Sequence, residues 1–459
     1  MYQIDFQTPI HVHFIGIGGI SMSGLAEILL AKGFPVSGSD TKQSPLTDDL
    51  AAKGALICIG QCAENITPSV ALVVYTAAIH PDNPEYAQAV ALGLPMLTRA
   101  ELLGQIMKSY DIPIAISGTH GKTTTTSMIS EMLLQADTDP TLSIGGILKD
   151  IGGNFRIGRS GYFVTEACEY TNSFLSFFPK IGVILNIEED HLDFFKDLSD
   201  IRNSFHRFAK LLPADGTLII NADIPNVTEI TDGLSCRVIT FGMHGNCDYS
   251  PSDIAYDGHA CASYILHRKN APSLQVKLNV PGSHNIANSL AALALGDLLG
   301  LPEEACLKAL YSFSGTDRRF EYKGSLDGIS IIDDYAHHPT EITATLQAAQ
   351  KYPHKTLWCI FQPHTYTRTK AFLPEFAKAL SLADKIILAD IYAARETDTL
   401  GISSQTLQAE LQKLGKECYY FPTFEEIQDF VLKNCISGDL LITMGAGDVV
   451  KIGENLLKK

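Results

Sequence analysis

The sequence has no run of about 18 apolar residues, the length a membrane-spanning helix requires. Its first nine residues lack the basic start and apolar centre of a secretory leader. It is poor in positive charge: 35 lysines and arginines against 51 aspartates and glutamates leave a formal charge of −16. That balance argues against non-specific binding of nucleic acid, which needs a basic face. It does not argue against an anionic nucleotide, for which a few local donors suffice. The ten cysteines show no metal-ligand spacing. Cys58 and Cys62, the closest pair, stand in an apolar stretch and read as buried reduced thiols. No linker is rich in proline and serine, and no repeat recurs at a solenoid period. The expectation is a cytoplasmic chain with neither membrane nor nucleic acid as partner.

What is present is ordinary globular material, 459 residues with 46% hydrophobic and 19% charged, enough for several cores. Short apolar strands alternate with amphipathic helices, an α/β pattern with mainly parallel sheets. Strands are expected over 11–15, 35–39, 56–59, 72–76 and 96–98, then over 112–117, 162–165 and 181–186. Segments 264–267 and 274–280 alternate like antiparallel strands, and 284–299 reads as a helix. Strands over 329–333, 357–361, 385–389 and 440–444 follow. This gives three domains, 1–108, 109–316 and 317–459, touching one another through short hinges.

Two glycine loops each stand between a strand and a helix. In the first (Gly16, Ile17, Gly18, Gly19, Ile20, Ser21), glycines let the backbone approach a pyrophosphate, and the helix N-terminus favours its charge. Asp40 ends the next strand, where a ribose-binding acid is expected. Ser21 replaces the third glycine of the dinucleotide fingerprint. A diphosphate nucleotide other than NAD, an NAD site and a ligand-free turn all remain open on this loop alone. The second loop (Gly118, Thr119, His120, Gly121, Lys122, Thr123, Thr124) carries a lysine for β/γ-phosphate oxygens and a threonine hydroxyl for Mg²⁺. It is shorter than the general motif, with Ile116 where a glycine is usual. Two loops of different kind imply two nucleotide sites in neighbouring domains.

Together with the second loop, the segments EACEYTNSF (166–174), NIEEDHLD (186–193), HNIANSLAA (284–292), GTDRRFE (315–321), DDYAHHP (333–339), FQPHTYTRT (361–369) and MGAGD (444–448) resemble the Mur ligases over nearly the whole chain. These enzymes activate a carboxylate with ATP and couple it to an amino acid. The resemblance implies a Rossmann-like first domain for a UDP-sugar, a central P-loop ATPase-type domain for ATP, and a Rossmann-like third domain for the amino acid. The stretch HFIGIGGISMSGLAE and the pair His337–His338 are most similar to the L-alanine-adding members, implying UDP-N-acetylmuramic acid and L-alanine as substrates.

Residue by residue, the resemblance makes Lys122, Glu169, His191 and Arg319 catalytic. Thr123, Glu169 and His191 become metal ligands, with hard oxygens suited to Mg²⁺. Asn288 is expected to read the adenine, Asp334 the ribose and Arg319 the phosphates of ATP. Tyr335, His337, His338, His364 and Arg368 are expected around the amino acid, with Arg368 on its carboxylate. Some relatives carry a second arginine where this chain has Thr365, and many carry a carbamylated lysine where it has His206. Neither feature is expected here. From the local sequence, His191 should end a strand, and the segment around Pro339 should open a helix capped by an aspartate.

Overall fold

The computed structural model describes residues 2–76, 78–394, 396–398 and 400–458. Its fold is α/β with three sheets. The first orders its strands Leu56–Ile59, Val36–Asp40, Val12–Ile15, Leu72–Tyr75 and Met96–Thr98, all parallel. The chain leaves Val12–Ile15 on one side and returns on the other. The glycine loop after that strand therefore opens at the point where strand order reverses, the usual ligand crevice of such sheets.

The second sheet has ten strands. Ile112–Ser117 lies inside it, between Tyr162–Ala167 and Ile181–Ile184, and is buried on both faces. Such a strand reads as a continuous apolar run, and its observed ends are the expected ones. The helix Lys122–Gln135 follows. Its run of threonines has poor helix propensity, yet ten of its residues are buried. Packing holds this helix where propensity would not. Tyr249–Tyr256, Cys261–Arg268 and Ala271–Pro281 form an antiparallel ribbon at one edge. The third sheet orders Glu321–Leu326, Ile329–Asp334, Leu440–Met444, Leu357–Phe361, Lys385–Leu388 and Glu417–Tyr420, the first antiparallel and the rest parallel.

The three sheets are not joined alike. One apolar core runs from Leu103 and Ile106, on the helix Arg99–Met107, into Phe174, Phe177 and Phe205 beside the second sheet. At that seam a Cβ on Gly104 would fall 1.9 Å from the carbonyl oxygen of Ser176. The third sheet has cores of its own on its two faces. Its contacts with the second sheet include polar pairs: Thr340 Oγ1 donates to Glu188 Oε2 at 2.6 Å, and the Arg368 Nη2 donates to Asp190 Oδ1 at 2.8 Å.

Several strands escaped the sequence reading. Thr141–Leu148 contains Gly145 and Gly146, residues that weaken a strand pattern; in the structure Gly145 N–H donates to Glu166 Oε1 at 2.5 Å. The strand before His191 ends at Ile184, where its pairing with Ser117 and Ile220 ends. His191 lies seven residues beyond, in a loop, with a left-handed φ of 52°. The helix Pro339–Lys351 does begin at its proline, but its cap is His338, whose side chain accepts from Thr340 N–H, and not an aspartate.

Candidate functional site

The phosphate-type loop is shaped by what it must leave open. Gly121 adopts φ 83° at the cap of the helix Lys122–Gln135, and a Cβ there would meet Asn288 Oδ1 at 2.7 Å. Asn186 holds the loop from below: its Oδ1 accepts from His120 N–H at 2.8 Å and its Nδ2 donates to His120 O at 3.0 Å. Lys122 folds back over the loop and donates to Gly118 O at 2.5 Å, Thr119 O at 3.0 Å and Glu169 Oε2 at 3.0 Å. Burial works against this ammonium, but Glu169 outweighs it and holds the lysine charged. Thr123 Oγ1 donates to Glu166 Oε2 at 3.1 Å. Glu166, expected just beyond its strand, is inside it, the last residue but one of Tyr162–Ala167.

A cavity of about 230 Å³ opens above the loop, walled by both the second and the third sheet's domains. Asn288, Arg319 and Asp334, all expected at the nucleotide, line it with His120, Gly121 and Thr124. Burial raises the Asp334 carboxyl to about 6; it accepts from Phe320 N–H and Ala336 N–H at 2.8 and 2.7 Å. The two neighbouring arginines divide. Arg318 is consumed within its own domain by Asp333, Gly445 O and Gly447 O, at 2.9, 2.7 and 3.0 Å. Among the described residues the Arg319 side chain meets Glu341 at 3.8 Å and the Tyr335 ring at 5.3 Å, and it lines the cavity.

Tyr335, His337, His338, His364 and Arg368 also come together. His337 and His364 rings lie 5.6 Å apart, and Arg368 Nη1 stands 3.1 Å from His364 Nδ1. The Arg368 fork is already engaged by Asp190, whose carboxyl it holds far below the usual range despite burial. His191 stacks on Tyr170 at 4.4 Å and stands 3.7 Å from Asp190; among the described residues no hydrogen bond joins it to Thr123 or Glu169. The residues of the first glycine loop form a separate group on the first sheet. There the Asp40 carboxylate accepts from Gly18 N–H at 2.9 Å and Thr41 N–H at 2.8 Å, so it shapes the loop itself.

Glu188, Asp190, Thr340 and Glu341 were missed by the sequence reading. A signal existed for Glu341, an acid at the third position of a helix, where acids serve the cap. For Glu188 and Asp190 the run NIEEDHLD offered four acids and no means of choosing. His120, Glu188 and His338 stand within 4.8 Å of one another, with metal-like composition. Hydrogen bonds already use both His338 nitrogens, on Glu189 O and Thr340 N–H, so the cluster reads as a polar joint. In that joint His120 lies 3.3 Å from Glu341 and 3.6 Å from Glu188. Burial disfavours its charge, but the two carboxylates outweigh burial and raise its pKa to about 9.

A pKa raised on folding stabilises the fold fully below the unfolded value near 6.5 and loses that contribution as pH rises through about 9. The melting temperature of the wild type should therefore fall more steeply between pH 7 and 10 than that of His120→Gln. Parallel slopes would remove His120 from the joint.

Family profiles match three consecutive regions: the Mur ligase family catalytic domain over residues 11–111, the Mur ligase middle domain over 116–296, and the Mur ligase glutamate ligase domain over 318–447. The chain is 62% identical over 459 residues to a UDP-N-acetylmuramate–L-alanine ligase of Agathobacter rectalis, and 57% identical over 469 aligned positions to one of Lachnoclostridium phytofermentans, covering all of each protein. Among solved structures, the UDP-N-acetylmuramate-alanine ligase of Thermotoga maritima superposes with a TM-score of 0.81 at 30% identity, covering 98% of both chains. A murein peptide ligase of Psychrobacter arcticus gives 0.73 at 25% identity with the same coverage.

Proposed function

The chain belongs to the Mur ligase family, and we propose on that premise that it uses ATP to join L-alanine to the lactyl carboxylate of UDP-N-acetylmuramic acid, in peptidoglycan precursor synthesis. The observation that carries this reading is the full-length likeness, at 62% and 57% identity, to ligases of that one acceptor. Solved ligases that take a peptide, the sibling activity, are matched at 25% and 28% identity.

We divide the work among domains 1–108, 109–316 and 317–459, for UDP-sugar, ATP and amino acid respectively. The open N-terminus of the helix Ile20–Ala31, with no side-chain cap, supports diphosphate binding at residues 16–21. Lys122, folded over the phosphate loop, and Arg319, which lines the cavity from the third domain, stabilise the charge of a γ-phosphoryl group as it moves to the substrate carboxylate. Asn288 and Asp334 position the nucleoside. Arg368 exchanges Asp190 for the α-carboxylate of the amino acid, since a fixed guanidinium suits that group. The amine then displaces phosphate from the acyl phosphate and forms the amide. Closure of the third domain excludes water, which would hydrolyse that intermediate.

The donor set beside the loop fits Mg²⁺. The Thr123 hydroxyl and the Glu166 and Glu169 carboxylates are hard oxygens, and Glu169, 2% exposed, has Lys122 as its counter-charge. Thr123, Glu169 and His191 would hold the ion, which when bound neutralises phosphate oxygens. We place the reaction in the cytoplasm, where ATP is supplied; no helix among the described residues is long and apolar enough to cross a membrane.

With the sugar carboxylate labelled by heavy oxygen, one label should appear in each phosphate released, and release should be fastest with L-alanine, slower with glycine and L-serine. Losing one methyl contact costs only about 1–3 kcal/mol, so glycine should remain detectable. Unlabelled phosphate would overturn the acyl phosphate route, and a preference for a peptide would overturn the acceptor.

A further inference from the structure

Glu341 is placed to do more than start a helix. It sits at the third position of Pro339–Lys351, with a side chain only 14% exposed. Oε1 lies 3.3 Å from His120 Nδ1 and 3.8 Å from Arg319 Nη1. Oε2 accepts from His337 N–H at 3.1 Å and stands 3.3 Å from His337 Nδ1. One carboxylate thus joins the remote phosphate loop to the cavity arginine and the amino-acid loop.

The contact with His337 has a chemical consequence. Its Nδ1 faces Tyr335 O at 3.0 Å and Glu341 Oε2, and both of these atoms only accept. Nδ1 must therefore carry the proton. Burial lowers the pKa of this ring, which favours its neutral form. In a neutral ring protonated at Nδ1, Nε2 is an acceptor, and it has no hydrogen-bond partner among the described residues.

We propose that Glu341 is a positioning residue for the ligation: it fixes His337 with Nε2 as an acceptor for the ammonium group of the incoming amino acid, and with the same carboxylate aligns His120 and Arg319 on the nucleotide. The inference rests on the ligase reading above. It makes the two half-sites share one anchor, so the amino-acid loop is ordered only where the phosphate loop and Arg319 are in place.

Two measurements on the full chain test it. Nitrogen NMR of the wild type labelled in histidine, with the His337 signal assigned by its loss in His337→Gln, should show the Nδ1–H tautomer; the Nε2–H form overturns the proposal whatever the variants do. In kinetics, Glu341→Gln should lose kcat by 100-fold or more with its KM for UDP-N-acetylmuramic acid changed less than threefold, and Glu341→Asp should recover at least tenfold over the Gln variant. A Gln variant within threefold of wild-type kcat, or a loss that Asp does not relieve, overturns it. Absence of L-alanine-dependent phosphate release in the wild type itself would instead defeat the ligase reading.

Discussion

Lys122→Ala should lower L-alanine-dependent phosphate release by about 1,000-fold or more, the scale of losing a principal charge stabiliser in phosphoryl transfer. The reason lies in how the ammonium is stored. It is tied to two carbonyls of its own loop and to the buried Glu169, and it stays charged there. Incoming phosphates meet a cation already in place, with no proton to be taken up. The same geometry gives the substitution a second effect. Glu169 would be left buried without a counter-charge, a situation that costs about 3–5 kcal/mol. Lys122→Ala combined with Glu169→Gln should regain melting temperature relative to the single variant and remain inactive. Thermal melts beside a phosphate-release assay separate the two effects. Retention of more than a tenth of wild-type activity in the single variant would remove Lys122 from the ATP site.

Arg319→Ala should lower kcat on the order of 1,000-fold, as arginines reaching transferred phosphoryl groups do, and leave the melting temperature near that of wild type. Arg318→Ala should behave in the opposite sense. Arg318 ties Asp333, itself fully buried, to two carbonyls of the segment around Gly445, so its loss strands a buried carboxylate and destabilises the third domain. Arg319 supports little within the protein and faces the cavity. Circular dichroism melts and steady-state kinetics on both variants suffice. If Arg318→Ala lost turnover at unchanged stability while Arg319→Ala did the reverse, their roles would be exchanged.

The contrast between these adjacent arginines shows where the sequence is legible. The resemblance favoured Arg319, but in the sequence both are arginines at a domain join; what separates them is that Arg318 meets carbonyls 127 and 129 positions away. Elements were readable where the physics is local. Ile112–Ser117, Leu357–Phe361 and Leu440–Met444 are short apolar runs buried on both faces, and His284–Leu299 is a long apolar helix ended by Gly300 at φ 67°. Elements fixed by tertiary pairing were not, such as Thr141–Leu148 with its paired glycines. The same holds for the site. Lys122, Glu169 and Asn288 lie in motifs that announce themselves, whereas Glu188, Asp190 and Glu341 gain meaning from partners distant in sequence, Thr340, Arg368 and His120. Arg368 was expected free for a carboxylate and is held by Asp190.

The seams between the sheets differ in kind, and that limits how the molecule can move. Where Gly104 meets Ser176, the first and second sheets share one apolar core and approach so closely that a methyl group has no room. Such a weld cannot slide without opening the core to water. The third sheet meets the second through hydroxyl, imidazole and guanidinium contacts, each of which water or a substrate can replace in turn. A chain with two joints thus has one working hinge. A spin label or fluorophore pair spanning the first and second sheets should report a constant distance through the reaction cycle, and every excursion should belong to the third.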